Sequence, residues 1–215
     1  MWSVFMKLRE PDVYNFAETD ETLRYNTFKE IEKVCGTCTK CRLAQTRTKV
    51  VFGEGVFSSK MMLIGEGPGR EEDETGRPFV GKAGKLLDQI LASQDISREK
   101  NIFITNTVKC RPPENRNPMD DEAKACRQYL EAQIQLMRPK IILLAGAVAV
   151  KNVLETQVGI SKIRGQWFDG PFDSKIMPIF HPSYLLRNQS KEPGSPKWLM
   201  WQDIKEIRRM LDSLE

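Results

Sequence analysis

Met61-Met62-Leu63-Ile64 runs into Gly65-Glu66-Gly67-Pro68-Gly69-Arg70-Glu71-Glu72-Asp73-Glu74-Thr75-Gly76-Arg77-Pro78-Phe79-Val80-Gly81-Lys82-Ala83-Gly84, and a helical pattern follows. An apolar run, a Gly/Pro-rich turn and a helix, in that order, form the unit in which α/β proteins place ligands, at the carboxyl end of a strand. The acids Glu71, Glu72, Asp73 and Glu74 and the aromatic Phe79 inside a glycine-rich turn are costly to explain as core packing. They read as a pocket that must approach something closely.

Outward from this unit, Ile102–Thr105, Ile141–Ala145 and Ile176–Phe180 are three more strand-like runs. Helical patterns over Ala83–Ser93, Met119–Met137 and about Ala147–Leu154 alternate with them. The spacing and β-branched content predict an α/β fold: a three-layer αβα domain around a central, mostly parallel four-stranded sheet. Met200, Ile204, Ile207, Leu211 and Leu214 fall at helical spacing and form one apolar stripe, expected in the core. Glu21–Val34 reads as a polar-rich helix, and Ser190–Pro196 as a surface loop rather than a domain boundary.

At 215 residues the chain is long enough for one well-buried domain. Thirty-three basic side chains against 29 acidic ones leave a net charge of +4, which permits nucleic-acid binding without implying it. No apolar run approaches the ~20 residues of a membrane helix. Met1–Glu10 lacks a secretory pattern. The expectation is a soluble intracellular, cytoplasmic protein with no membrane association. Five cysteines, an odd number, then point to metal ligation rather than disulfides.

Cys38-Thr39-Lys40-Cys41 is a Cys-x-x-Cys pair, and Cys35-Gly36-Thr37-Cys38 is an overlapping second one; Cys110 and Cys126 lie far downstream. Four thiolates from two distant segments would staple the N-terminal region to the body. Zinc and a 4Fe–4S cluster both accept that donor set, and spacing does not separate them. Gly76-x-x-x-x-Gly81-Lys82-Ala83 nearly fits a phosphate-binding loop. It lacks both the hydroxyl residue at Ala83 and a preceding strand, so an NTPase is disfavoured. His181, the sole histidine, stands where the fourth strand leaves the sheet, and Asn106 where the second does. Taken singly, each has an ordinary reading: a satisfied histidine, a turn asparagine, a core phenylalanine at Phe79, a solvated acid at Glu66.

Four segments together change that weighting: Gly65–Gly84; Asn106-Thr107-Val108-Lys109-Cys110-Arg111-Pro112-Pro113 with Asn115-Arg116; Lys162-Ile163-Arg164-Gly165; and His181-Pro182-Ser183-Tyr184-Leu185-Leu186-Arg187-Asn188. In this order, from about Cys38 to the C-terminus, the chain resembles the family 4 uracil-DNA glycosylases, which carry an iron–sulfur cluster. The resemblance divides the chain into an N-terminal extension, 1–30, and a glycosylase domain, 31–215. It implies a monofunctional hydrolase that flips uracil out of DNA and cleaves its N-glycosidic bond, leaving an abasic site in base excision repair.

By the same resemblance, Glu66 and His181 carry the chemistry. Glu66 directs the attacking water, and His181 stabilises negative charge developing at O2 of the departing base. Gly67, Glu72, Phe79 and Asn106 would bind the base. Phe79 is the stacking platform, Asn106 pairs with O4 and N3–H, and Glu72 lies by C5, excluding the thymine methyl. Lys109, Arg111, Arg164 and Arg187 would grip phosphates, while Leu185 and Leu186 enter the duplex, with at least one of the two expected in the core. Arg42-Leu43 after Cys41 matches the residues following the family's second ligand. The resemblance therefore assigns Cys38, Cys41, Cys110 and Cys126 to a structural 4Fe–4S cluster and leaves Cys35 spare.

Expected partners are uracil-containing DNA, single- or double-stranded, acting on a monomer. A sliding clamp would be a compatible partner, but residues 1–30 carry no recognisable docking motif. Two rivals are a non-catalytic uracil-DNA binder, including relatives that trap DNA through a histidine after the Cys110 segment, and an iron–sulfur electron carrier. The first is disfavoured by the absence of any histidine there. The second has no use for Asn106, Phe79 and His181.

Overall fold

A computed structural model describes residues 25–214. Residues 21–24 of the expected first helix lie outside that range. The described helix, α1, spans Phe28–Gly36, because the Thr27 side chain accepts the Glu30 N–H and fixes the start.

Among the described residues six strands form one sheet: β1 (Glu54–Gly55), β2 (Met61–Gly65), β3 (Phe103–Asn106), β4 (Ile141–Ala145), β5 (Phe168–Asp169) and β6 (Lys175–Ile179). Their order is β1-β3-β2-β4-β6-β5. The four predicted strands are the central ones, and they pair in parallel. The sequence reading did not include β1 and β5. Each is two residues long, pairs antiparallel at an edge, and is too short to show a period.

Every residue of β2, β3 and β4 is buried. Alternate side chains divide between two cores. On one face Met61, Leu63, Ile104, Leu143, Met177 and Ile179 meet α3 (Lys82–Ala92) and the Met200–Leu211 stripe of α8 (Pro196–Asp212). On the other, Met62, Ile64, Phe103, Ile142, Leu144 and Ile176 meet α4 (Asp120–Met137) and α5 (Ala147–Leu154). A third cluster packs Ile31 and Cys35 of α1 against Cys126, Tyr129 and Ala132 of α4. Among the described residues, no helix is long and apolar enough to cross a membrane.

The chain leaves β2 toward β3 and leaves β4 toward β6. The connections therefore diverge between these neighbours, and a crevice opens above their carboxyl ends. Three short helices line or flank it: α2 (Arg70–Thr75), α6 (Ile160–Ile163) and α7 (Pro182–Arg187).

Leu143 sits in the central strand, fully buried between Leu63 and Met177. Leu143→Ala should cost about 2–5 kcal/mol. Denaturant unfolding followed by circular dichroism measures it, and a midpoint equal to the parent's would place Leu143 outside the core.

Candidate active site

The crevice is a cleft of about 740 Å³ whose lining includes Glu66, Gly67, Glu72, Phe79, Asn106, His181 and Arg187. Each comes from the end of a strand or the turn behind it. Glu66 and Gly67 follow β2, Asn106 ends β3, and His181 lies two residues beyond β6. No lysine is among the residues that line it.

Asn106 is buried, and its side-chain carbonyl has no hydrogen-bond partner among the described residues. A buried acceptor left unpaired is costly, and this one lies in the cleft wall, open to a donor entering the cleft. The approach is tight. A Cβ at Gly65 would lie 2.4 Å from the Asn106 carbonyl oxygen and 2.4 Å from the Phe79 ring, so only glycine fits.

Phe79 is buried against the cleft with φ +53°, a left-handed conformation unusual for an aromatic residue. Its loop is held by Glu72, whose carboxylate accepts from the N–H groups of Gly69 (3.1 Å), Val80 (2.9 Å) and Gly81 (2.9 Å). Glu72 was expected beside the base as a specificity element. It does line the cleft, but with its oxygens fixed by main-chain donors, so it is also a fastener of the loop. Asp73 is buried and accepts from the Thr48 N–H, which makes it loop-ordering; Glu71 and Glu74 are exposed.

His181 faces Phe79, with ring centroids 5.7 Å apart. The Ser183 N–H donates to His181 Nδ1 at 3.2 Å, which places the proton of a neutral ring on Nε2. Burial, helped by the Arg187 charge, pulls the imidazole down to about 4, with Glu72 pulling weakly the other way. A neutral ring donating through Nε2 follows. A Cβ at Gly146 (φ +95°) would lie 2.9 Å from the His181 Cβ, so glycine is needed there as well. Burial also raises Glu66 above the ordinary carboxylate range.

Several expected DNA contacts are turned inward. Lys109 is only 1% exposed: its ammonium donates to Thr105 Oγ1 (2.6 Å), the main-chain carbonyl of Asn106 (2.9 Å) and Gln133 Oε1 (2.7 Å), so it cannot reach a phosphate. Arg164 is committed to the buried Asp203, with its Nε at 2.8 Å, and ties the turn after α6 to α8. Leu185 is fully buried in the core, whereas Leu186 is partly exposed. Arg111 is partly exposed and bonds Asn115; Arg187 is exposed at the cleft mouth. Sequence reasoning missed Ser183 and Gly146. A serine two residues past a helix-capping histidine was the available signal for the first.

All five cysteines line one small void with Lys109 and Tyr129. N–H donors are directed at sulfur from Lys40 to Cys38 (3.5 Å), from Arg47 to Cys110 (3.4 Å) and from Lys109 to Cys126 (3.2 Å). Burial pushes the thiols of Cys35 and Cys110 up, and that of Cys126 to about 12. Among the described residues, no three His, Cys, Asp or Glu side chains form a group that could hold a single metal ion.

The sequence profile of the uracil DNA glycosylase superfamily matches residues 52–205. The type-4 uracil-DNA glycosylase of Thermotoga maritima is 49% identical over 156 residues, 72% of this chain and 81% of that protein. The type-4 uracil-DNA glycosylase of Sulfurisphaera tokodaii is 39% identical over 192 residues, 86% of this chain and 85% of that protein. The Archaeoglobus fulgidus type-4 uracil-DNA glycosylase is 39% identical over 164 residues, 73% and 82% of the two chains.

Because His181 is the sole histidine, its titration can be followed by proton–nitrogen NMR without assignment. The ring should remain neutral, protonated on Nε2, at pH 6 and titrate near 4. Its folded pKa lies below the unfolded value of about 6.5. Between the two values the unfolded chain binds more protons, so this group's contribution to stability falls as pH drops through that window. A ring that titrates at its unperturbed value contradicts the assignment.

Proposed function

The chain belongs to the uracil DNA glycosylase superfamily and, within it, to the type-4 enzymes, and from that premise we propose how its residues excise uracil from DNA. It is a hydrolase of the N-glycosidic bond. The observation that carries the proposal is the buried side-chain carbonyl of Asn106, unpartnered among the described residues, in the wall of the cleft. A base can present a donor there only after leaving the duplex stack.

In the proposed complex uracil lies on the Phe79 ring, and its N3–H donates to Asn106 Oδ1 while O4 accepts from Asn106 Nδ2. Cytosine has an acceptor at N3 and a donor at N4, so it would meet two mismatches. Glu72, fixed by three N–H groups, forms an unyielding wall beside C5. His181 donates its Nε2–H to O2. As the C1′–N1 bond breaks, its electron pair passes to the base, and the resulting charge on O2 is met by this preorganised neutral donor. Glu66 accepts a proton from a water whose oxygen bonds to C1′, and its raised pKa makes it a stronger base than an exposed carboxylate. No lysine in the cleft wall offers an amine nucleophile, which favours hydrolysis without a lyase step. Arg187 at the mouth supplies positive charge for a phosphate.

Cys38, Cys41, Cys110 and Cys126 would hold a 4Fe–4S cluster. Its iron would supply the positive charge that keeps these four thiolates ionised, including those of the buried Cys110 and Cys126. The N–H donors on Cys38, Cys110 and Cys126 support this set, with Cys35 left as packing in the α1–α4 core.

Release of free uracil from an oligonucleotide under single-turnover conditions tests the chemistry. Glu66→Gln should slow it by about 10²–10⁴-fold, and Asn106→Asp should lose the O4 donor and fall by about 1–3 kcal/mol or more in transition-state stabilisation. Parent rates in both variants would defeat the proposed pocket. For the cluster, iron content and visible absorption should vanish in Cys41→Ala and survive in Cys35→Ala; the reverse pattern would reassign the ligands.

A further inference from the structure

We propose that Arg98 is a positioning residue for uracil excision, one that fixes the Phe79 platform by holding the two carbonyl groups flanking it in a strained turn. The inference rests on the reading of Phe79 as the surface on which the base stacks.

Arg98 lies in the charged run Ser97-Arg98-Glu99-Lys100, which by composition is an exposed turn. It is instead 7% exposed. Its Nη1 donates to the Pro78 carbonyl (2.5 Å) and its Nη2 to the Phe79 carbonyl (2.6 Å). The remaining donors go to Asp88, with Nε at 2.9 Å, and to Glu54 at 3.1 Å. A planar fork with five donors suits two successive carbonyls and two carboxylates at once; a lysine ammonium cannot match that geometry.

The target of this fork is the strained segment itself. A non-glycine residue at φ +53° is strained and persists only when its surroundings over-determine it. Here Arg98 fixes the carbonyls of Pro78 and Phe79 from one side, and Glu72 fixes the N–H groups of Val80 and Gly81 from the other. Gly84 lets α3 close over the turn, since a Cβ there would fall 1.8 Å from the Phe79 carbonyl oxygen. The backbone that carries the ring is thus fixed by main-chain contacts made before substrate arrives. Arg98 itself does not line the cleft.

The experiment is a double-mutant cycle between Arg98→Lys and Phe79→Ala, read by single-turnover uracil release, with binding to an abasic-site duplex and iron content measured in parallel. Arg98→Lys should release uracil about tenfold more slowly or worse, the scale expected when a reacting group is misplaced by a fraction of an ångström. Iron content and abasic-duplex affinity should be unchanged, and the double variant should be no slower than Phe79→Ala alone. Losses that multiply would show Arg98 acting elsewhere and overturn the proposal. Parent rate in Arg98→Lys beside a slow Phe79→Ala removes the clamp but keeps the platform; parent rate in Phe79→Ala removes the platform and the clamp with it. Should Arg98→Lys not fold, Asp88→Ala decides in its place. Asp88 is half-exposed and orients the Arg98 Nε, so that variant should show a smaller loss with the same non-additivity, and a parent rate would overturn the proposal.

Discussion

Four adjacent parallel strands buried on both faces leave no room along their length for polar side chains that lack a partner. Met61–Ile64 and Ile141–Ala145 face helices above and below, and any ionised group placed among them would be stripped of water on both sides. Function is therefore driven to the carboxyl ends, where the pleat stops and the next residue can turn toward solvent. Glu66, Asn106, Gly146 and His181 are each the last residue of a strand or one or two beyond it. Parallel pairing brings these ends to one edge, so a single crevice collects residues far apart in sequence.

Around that edge, buried charge fastens the loops. Lys109 joins β3 to Gln133 of α4 while its own N–H reaches Cys126. Glu122 is fully buried, takes both Nη groups of Arg116 and caps the first turn of α4, which fixes the Pro112–Pro118 wall of the cleft. Arg98 and Glu72 do the same for the Phe79 turn. Removing one partner of such a pair strands the other without water, a larger penalty than the pair's net contribution to stability. These contacts serve precision of the walls more than stability of the fold.

The sheet and the pocket were legible in sequence for the same reason. Apolar runs of four or five residues between turn signals give the strands, and the chemistry-bearing residues follow directly after them. The inward turn of Lys109 and Arg164 was not legible. Basic residues in Asn106–Arg116 and Lys162–Gly165 carry no period, and only the presence of Gln133 or Asp203 across the fold makes burial affordable. Arg98 was hidden in the same way, within a run that reads as solvated. Leu185 and Leu186 are adjacent and chemically alike; α7 turns one into the core and leaves the other at the surface, and six residues are too few for periodicity to say which. The edge strands β1 and β5 pair only because a neighbour offers free main-chain groups, so no local pattern announces them.

One physical cause sets both proposed chemical roles. Burial disfavours charge on any group, and in this cleft it acts on a base and an acid with opposite electrical sense. It takes the proton from His181, leaving a neutral ring whose tautomer is chosen by the Ser183 N–H. It raises the proton affinity of Glu66, which strengthens that carboxylate as an acceptor. A cationic imidazole would bind the departing base more strongly, but burial and the Arg187 charge oppose holding that charge before the base departs. A neutral donor keeps its effect for the moment when charge appears on the base. Arg187 extends this logic outward: its charge opposes protonation of His181 from the cleft mouth, where a phosphate would sit. A bound phosphate would partly cancel that charge. DNA in place should therefore raise the imidazole's proton affinity somewhat, while the buried walls keep it well below neutrality.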